Sequence, residues 1–227
     1  MVSENILKIK QKIWEVCQKV GRNPDEITIV AVTKTVPVEK IKEAINAGIY
    51  DIGENRVQEL LEKRNSLENV RWHFVGHLQT NKVKYIVNFI HLIHSVDSLK
   101  LALEIDKRAE KINRHIDVLI EVNTSGEKTK YGVKPEETIE IVKQISENCK
   151  FVHIKGLMTL AAYSPDPENA RPMFKMLKNL SDEIAKLNLK NVEMRHLSMG
   201  MSNDYWIAIE EGATIVRIGT AIFGPRK

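Results

Sequence analysis

Lys34 is the residue of this chain whose type and position most directly indicate chemistry. It comes after the β-branched apolar segment Ile27–Thr33, which predicts a buried strand, so its amine is expected at the end of that strand. Burial lowers the pKa of a lysine, and the neutral amine is the species that forms Schiff bases with aldehydes. The alternative interpretation is a solvated lysine just past a strand end.

Two short segments near the C-terminus combine glycines with hydroxyl side chains, as phosphate-binding loops do. One runs from Ser198 through Gly200 to Ser202, and the other is the pair Gly219 and Thr220. Glycines let backbone N–H groups approach an anion closely, and hydroxyls add hydrogen-bond donors. Ordinary turns built from small residues are the alternative.

An amine on one side of a site and a phosphate cradle on the other suit pyridoxal 5′-phosphate (PLP), which carries an aldehyde and a phosphate. Arg217 stands two residues before Gly219, and an inward-pointing guanidinium there would face the pyridine nitrogen. Because arginine only donates hydrogen bonds, that nitrogen would remain unprotonated, which makes the cofactor a weaker electron sink. Pairing of Arg217 with a barrel acid such as Glu121 is the alternative.

Hydrophobic periodicity predicts that short strands alternate with amphipathic helices along the chain. The first helix covers Ser3–Val20, with Ser3 as its N-cap and Gly21 at its end. Eight strands are predicted: Ile27–Thr33, Tyr50–Ile52, Trp72–Val75, Leu92–Ser95, Val118–Val122, Val152–Leu157, Val192–Leu197 and Ile215–Ile218. Helices are predicted over Val38–Ala47, Val57–Leu67, Lys82–Asn88, Leu99–Ile112, Pro135–Asn148, Glu168–Leu187 and Tyr205–Glu211, whereas the last strand is expected to run into the C-terminus.

Eight β/α units in 227 residues favour one domain over 1–227, a (β/α)8 TIM barrel with an extra N-terminal helix. An open doubly wound sheet is the alternative, but no Gly-x-Gly-x-x-Gly follows the first strand to support its dinucleotide-binding form. Active sites of barrels lie at the C-terminal ends of the strands. Every predicted strand ends in polar or glycine-rich residues, including Glu54 and Asn55 after the second strand and His77 after the third. We therefore expect these residues to converge at one rim.

The composition argues against several classes of function. The net charge of +4 arises from 34 basic and 30 acidic residues that are interleaved, so a nucleic-acid partner is not expected. The two cysteines, Cys17 and Cys149, lie far apart and no HxH or HExxH occurs, so neither disulfides nor a metal site are expected. His91 and His94 bracket the fourth strand and are interpreted as structural. No membrane span or signal peptide is visible, which indicates a cytoplasmic protein without membrane contact.

Five segments in order resemble the pyridoxal-phosphate homeostasis protein family: VAVTKT, GENRVQE, WHFVGHLQTNK, GLMTL and LSMGMSNDYWIAIEEGATIVRIGTAIFG. The resemblance extends from near the N-terminus to Gly224. It implies the barrel of the alanine racemase N-terminal domain. It also implies a PLP-binding role in intracellular vitamin B6 homeostasis and amino-acid balance, without clear enzymatic turnover.

The resemblance assigns residues of this chain to the cofactor. Lys34 would hold it as a Schiff base, Arg217 would face the pyridine nitrogen, and Asn55 and Met158 would line the pocket with His77 near it. The phosphate would be held by Ser198, Gly200, Ser202, Gly219 and Thr220.

One position departs from the family pattern. Many relatives carry a second lysine two residues after the first, whereas this chain has Val36. Any role of that lysine in cofactor transfer would fall to Lys82 or Lys130. The expected partners are PLP and PLP-dependent apo-enzymes, and the expected state is a monomer or weak homodimer.

A PLP-dependent amino-acid racemase is the alternative function. Racemisation needs a proton acceptor on each face of the α-carbon, and fold-related racemases take the second one, a tyrosine, from another domain of the partner subunit. The chain ends three residues after Gly224 and we expect no such domain, so a non-catalytic carrier is favoured. In-chain candidates for the second acceptor are Tyr163, His77 and Tyr205. A sugar-phosphate barrel enzyme, the third alternative, would explain Lys34 only as an aldolase Schiff base and would leave Arg217 unexplained.

Overall fold

The fold is a closed parallel barrel, seen in a computed structural model that describes residues 1–127 and 129–225. Neighbouring strands pair in parallel in sequence order, and the eighth pairs with the first to close the sheet. The strands are β1 (Thr28–Val32), β2 (Asp51–Glu54), β3 (Arg71–Phe74), β4 (Leu92–Val96), β5 (Ile116–Glu121), β6 (Val152–Met158), β7 (Val192–Ser198) and β8 (Ile215–Ile218). The prediction of a (β/α)8 barrel with an N-terminal helix is confirmed.

Helices form a layer around this barrel. Within the described residues they are α1 (Val2–Val20), α2 (Val38–Asn46), α3 (Val57–Arg64), α4 (Val83–Ile86), α5 (Leu99–Lys111), α6 (Pro135–Asn148), α7 (Arg171–Ala185), α8 (Tyr205–Glu210) and α9 (Thr220–Phe223). None of the helices in these two described ranges is both long and apolar enough to cross a bilayer.

The N-terminal helix α1 fills the gap that the short α9 leaves in the helical layer. Its apolar face, which includes Ile6, Ile9 and Ile13, is buried. The helix packs against α8 and α9 as well as against α2, the first helix of the layer. Gly21 ends α1 with a φ of 69°, a left-handed conformation that carries no Cβ penalty in glycine.

The barrel interior contains an apolar cluster, separate from the larger core between strands and helices. Because alternate residues of a strand point inward, each of several strands contributes one side chain. The cluster, which we call the interior plug, consists of Val30, Leu92, Leu119, Met158 and Ile215. The plug fills part of the barrel interior with side chains that are at most 4% exposed.

Several boundaries differ from the prediction. Strand β2 continues to Glu54, two residues beyond the predicted end, and this places the Glu54 side chain among the helices. The helix predicted over 82–88 is a 3-10 turn followed by the four-residue α4, and a 3-10 turn likewise precedes α7. Helix α9 follows β8, so the last strand does not run directly into the C-terminus. Helix α1 begins at Val2 without a side-chain cap, so the expected Ser3 cap is wrong.

Candidate functional site

A cavity of about 590 Å³ opens at the C-terminal ends of the strands. Small-molecule sites have volumes in the range of about 300–1,000 Å³, and barrel active sites lie at this end. Leu160 packs against the interior plug and also lines the cavity, so the plug lies beneath it. Six of the predicted site residues line the cavity: Lys34, Asn55, Ser202, Arg217, Gly219 and Thr220.

The turn that carries Lys34 is held by hydrogen bonds on both sides of the lysine. The Thr33 carbonyl accepts from Lys63 Nζ at 2.6 Å, and Thr35 N–H donates to Glu59 Oε1 at 2.5 Å. Thr35 has a φ of 61°, which is rare for a β-branched residue. Such a conformation costs on the order of 1–3 kcal/mol and persists only where the surroundings impose it. Contacts outside the cavity therefore hold the Lys34 turn in a strained conformation.

Those contacts come from a cluster of Glu54, Glu59 and Lys63, which we call the α3 clamp. Lys63 Nζ donates to Glu54 Oε1 and to Glu59 Oε1, both at 2.7 Å. Thr33 Oγ1 donates to the same Glu54 oxygen at 2.6 Å. Glu54 is fully buried, and burial raises the pKa of its carboxyl against the opposing effect of Lys63. The expectation that Glu54 lies at the rim is wrong, because its side chain points to α3.

Arg217 projects from β8 into the barrel and is 4% exposed. Its guanidinium donates to Ser198 Oγ at 2.6 Å through Nη1 and to the Thr159 carbonyl at 2.7 Å through Nη2. Burial lowers the pKa of Arg217 to about 10, while Glu121 and Asp204 act in the opposite direction. The guanidinium is thus charged at neutral pH. Its hydrogen bonds go to neutral oxygens, and Glu121 acts on it only through space.

The segments after β7 and β8 lie side by side at the cavity. Ser202 Oγ accepts from the N–H of Ala221 at 3.1 Å, which joins the loop after β7 to the first turn of α9. Gly200 has a φ of 89°, and a Cβ built there would lie 2.6 Å from Ala208 Cβ. A side chain at position 200 would therefore be strained and would also clash.

Four predicted site residues do not line the cavity: His77, Met158, Ser198 and Gly200. Met158 belongs to the interior plug, and Ser198 is fully buried beneath Arg217. His77 lies at the rim, where its Nδ1 is 3.3 Å from Asp97 Oδ2 and its ring stacks on Tyr131 with centroids 3.8 Å apart. Of the two lysines considered in place of Val36, Lys130 lines the cavity and Lys82 does not.

Two polar groups give the site its particular electrostatics. Asn55 lines the cavity, and its side-chain oxygen is buried without a hydrogen-bond partner in the protein. Glu121, at the end of β5, is 4% exposed, and burial followed by the charge of Asp97 raises its pKa to about 7. The site therefore offers an unused acceptor and lies close to a carboxyl that titrates near neutrality.

The sequence reasoning did not identify Asp204 or the α3 clamp. Asp204 Oδ1 accepts from Met201 N–H at 2.6 Å and so shapes the loop before α8. An aspartate directly before a predicted helix is a usual capping signal and could have been used to find it. Lys63 stands four residues after Glu59, the spacing of an exposed helical ion pair, so nothing in the pattern indicated its burial.

Comparisons with known proteins place the chain among relatives of this architecture. The family profile described as "Alanine racemase, N-terminal domain" matches residues 6–227. A pyridoxal phosphate homeostasis protein from Aquifex aeolicus is 48% identical, with 99% of this chain and 98% of the relative covered.

Two solved structures are also similar over nearly the whole chain. An unknown protein from Bifidobacterium adolescentis has a TM-score of 0.93 and 34% identity, over 98% of this chain and 94% of that one. The protein PipY from Synechococcus elongatus, solved with PLP bound, has a TM-score of 0.84 and 30% identity, over 99% of this chain and 100% of PipY. With close similarity over its full length in both sequence and fold, the chain belongs to the family of pyridoxal phosphate homeostasis proteins.

Proposed function

We propose that this protein binds PLP in the rim cavity, with Lys34 as the point of covalent attachment, and that it serves intracellular PLP homeostasis as a carrier. The observation that carries the proposal is the set of four different groups around one cavity. They are an amine (Lys34), a buried cation (Arg217), an acceptor without a partner (Asn55) and a cradle of small residues after β7 and β8. PLP supplies an aldehyde that condenses with an amine and releases one water.

The residues present fit this group chemically. Ser202, Gly219 and Thr220 provide a hydroxyl-containing and glycine-containing wall, which suits a phosphate. Arg217 stays charged and has no acceptor to offer, so it would donate to a ring nitrogen. The buried Asn55 oxygen would accept a hydrogen bond that the protein itself does not provide.

The protein's own residues divide the work of holding the cofactor. The α3 clamp fixes the backbone on both sides of Lys34 and so directs its amine into the cavity. Ser198 and the Thr159 carbonyl hold the guanidinium of Arg217 below the cavity. The interior plug places apolar side chains beneath the cavity.

Attachment at Lys34 is tested by borohydride reduction of the protein incubated with PLP, followed by peptide mass mapping. We expect one modified peptide containing Lys34, and none in a Lys34→Ala variant. Lys130→Ala is the matched control because, among the residues that the structure describes, Lys130 is the second lysine that lines the cavity, and this variant should still be labelled at Lys34. Labelling of Lys130 in place of Lys34 would contradict the assignment.

The carrier role, rather than racemase catalysis, is supported by the positions of the three candidates for a second proton acceptor. Tyr163 lines the cavity but is 83% exposed. His77 lies at the rim beside Asp97, and Tyr205 is buried in α8, so neither lines the cavity. Efficient proton transfer needs a fixed group within hydrogen-bond reach.

Incubation with L-alanine and other amino acids in deuterated water tests this part of the proposal. We expect slow or no α-deuterium exchange without racemisation. Rapid exchange with racemised product would show that the protein is an enzyme. We propose PLP-dependent apo-enzymes as the recipients of the cofactor. We propose the cytoplasm as the protein's compartment, because free thiols such as the buried Cys17 and Cys149 stay reduced there.

A further inference from the structure

A continuous series of hydrogen bonds crosses the barrel interior from the cavity to the opposite mouth. It starts at Arg217, whose Nη1 is 2.6 Å from Ser198 Oγ. Ser198 Oγ lies 2.9 Å from His94 Nδ1, and His94 Nε2 lies 2.8 Å from His73 Nδ1. His73 Nε2 in turn lies 2.9 Å from Asp51 Oδ1, at the first residue of β2. Residues of β8, β7, β4, β3 and β2 thus form one path.

The chemistry at the two ends fixes the direction of every bond. Arginine only donates, so Ser198 Oγ accepts from Arg217 and has one proton left to give. His94 Nδ1, 2.9 Å away, takes that proton when it is bare, which places the proton of a neutral His94 on Nε2. At the other end a carboxylate only accepts, so His73 Nε2 carries a proton for Asp51 and His73 Nδ1 accepts from His94.

The opposite direction is unfavourable at both ends. A proton on His94 Nδ1 would give Ser198 Oγ two donors and leave its own buried proton without a partner, which carries a desolvation cost. A bare His73 Nε2 would set two lone pairs against each other at 2.9 Å from Asp51 Oδ1. His94 is fully buried, which disfavours a charged ring.

We propose that Asp51, His73 and His94 are positioning residues for Arg217. With Ser198 they form a one-directional hydrogen-bond chain in which both imidazoles are neutral and protonated on Nε2. Asp51 thereby determines, from the opposite end of the barrel, that the Ser198 hydroxyl proton goes to His94 Nδ1 and that a lone pair of Ser198 Oγ faces the guanidinium. The role toward PLP rests on the proposed function, whereas the protonation pattern does not.

The charges at the two ends support the same direction. Each N–H or O–H of the chain points away from the Arg217 cation and toward the Asp51 carboxylate, so every bond dipole is favourably oriented toward both. Aligned hydrogen bonds polarise one another in a low-dielectric interior. Asp51 is held by a second partner, since Arg71 donates to both of its oxygens.

A metal site is the competing interpretation of these residues. Potential ligand atoms of Asp51, His73 and His91 lie within 4.8 Å of one another at the mouth of the barrel opposite the cavity. However, both Asp51 oxygens accept from Arg71, a permanent cation beside the position an ion would take. His73 Nε2 also carries a proton in the proposed chain, and a metal requires the bare nitrogen.

The protonation pattern is tested by long-range ¹H–¹⁵N correlation spectra of the full chain, labelled at histidine nitrogens and without added cofactor. Spectra of His73→Gln and His94→Gln assign the two rings. We expect a protonated Nε2 and a bare Nδ1 in both. A proton on Nδ1 of either ring, or a shift of the His73 nitrogens on addition of Zn²⁺ alone, would overturn the proposal.

The coupling to Arg217 is tested by Asp51→Asn against Asp117→Asn. Asp117 lies near the same mouth, on β5, and its Oδ1 is 3.8 Å from His153 Nδ1. Asp117 makes none of the hydrogen bonds that link Arg217, Ser198, His94, His73 and Asp51. We expect Asp51→Asn alone to shift the His94 nitrogens and the absorption band of bound PLP. Equal shifts in both variants would refute coupling through the chain.

The link at Ser198 provides a rescue experiment. Ser198→Ala removes the acceptor and should weaken PLP binding about tenfold or more, since a hydrogen bond to a charged group is lost. Ser198→Thr keeps the hydroxyl and should restore most of the affinity. Affinity unchanged by Ser198→Ala would refute the positioning role. A wild-type protein that forms no adduct at Lys34 would refute the proposed function but leave the histidine protonation pattern standing.

Discussion

Replacing Lys63 by methionine perturbs the α3 clamp at its centre. The Lys63 side chain is 9% exposed, and the Glu54 side chain beside it is 0% exposed. Removing the ammonium leaves a buried carboxylate without its cation, and we expect the free energy of unfolding to fall by about 3–5 kcal/mol. Lys178→Met is the control, because Lys178 pairs with Asp182 on the exposed surface of α7 and should lose only about 0.5 kcal/mol or less.

The loss should depend on pH in a defined direction. Burial raises the pKa of Glu54, and removing Lys63 takes away the main group that lowers it. Folded Lys63→Met would then hold a proton on Glu54 at pH values where the unfolded chain has released it. Stability of the variant relative to wild type should therefore be best in acid and should fall as the pH rises above the ordinary glutamate value of 4.5. Urea unfolding at pH 5 and pH 8 measures this difference.

A double-mutant cycle with Glu54→Gln decides whether the clamp acts as a unit. Lys63→Met leaves the Glu54 carboxylate without its cation, and Glu54→Gln removes that carboxylate charge. The double variant should therefore recover a substantial part of the free energy of unfolding that Lys63→Met loses. Trapping of PLP on Lys34 by borohydride should also slow in folded Lys63→Met, since the Thr33 carbonyl loses the Lys63 ammonium that donates to it. A loss below about 1 kcal/mol, or strictly additive single losses, would refute the reasoning.

Three further predictions concern other parts of the molecule. Gly200→Ala should lower the melting temperature more than Gly126→Ala, because both have a positive φ but only a Cβ at 200 meets Ala208 at 2.6 Å. Glu121→Gln should stabilise the protein more at pH 8 than at pH 5, by on the order of 3 kcal/mol, because the Glu121 pKa of about 7 exceeds its ordinary value of 4.5 and deprotonation destabilises the folded state. Urea titrations of wild type and variant at the two pH values measure this difference, and a pH-independent difference would contradict the assigned pKa. Cys149 should resist iodoacetamide at pH 8 until urea is added, as burial raises its pKa to about 12, and mass spectrometry of the native protein would reveal any early alkylation.

The barrel and the types of group at its rim followed from the sequence because they depend on local periodicity. Each apolar run had to be covered on both faces, and the residue after it had to lie at the C-terminal rim. That reasoning brought Lys34 and the residues at 219 and 220 to one cavity. It required only strand order, not the exact stagger of the strands.

Contacts across the interior could not be obtained in the same way. Whether Ser198 on β7 meets His94 on β4 depends on the shear of the closed barrel, which the pattern of one sequence does not reveal. Glu54 shows a second limit. Side chains alternate between faces, so the strand must be aligned to the exact residue before an acid can be assigned to the rim or to the helices.

The cavity is supported by two networks that share no residue. The α3 clamp lies outside the barrel wall and determines where the Lys34 amine is held, whereas the chain from Asp51 to Ser198 lies inside and determines where Arg217 points. In the proposed function, the position of the attachment point and that of the buried charge would therefore be set separately. A guanidinium that is anchored to neutral oxygens, retains its protons and only donates cannot protonate a ring nitrogen, and an unprotonated ring withdraws electrons weakly. In the proposed function, a cofactor attached at Lys34 and left a weak electron sink would be held by the site more readily than it would be used to transform amino acids.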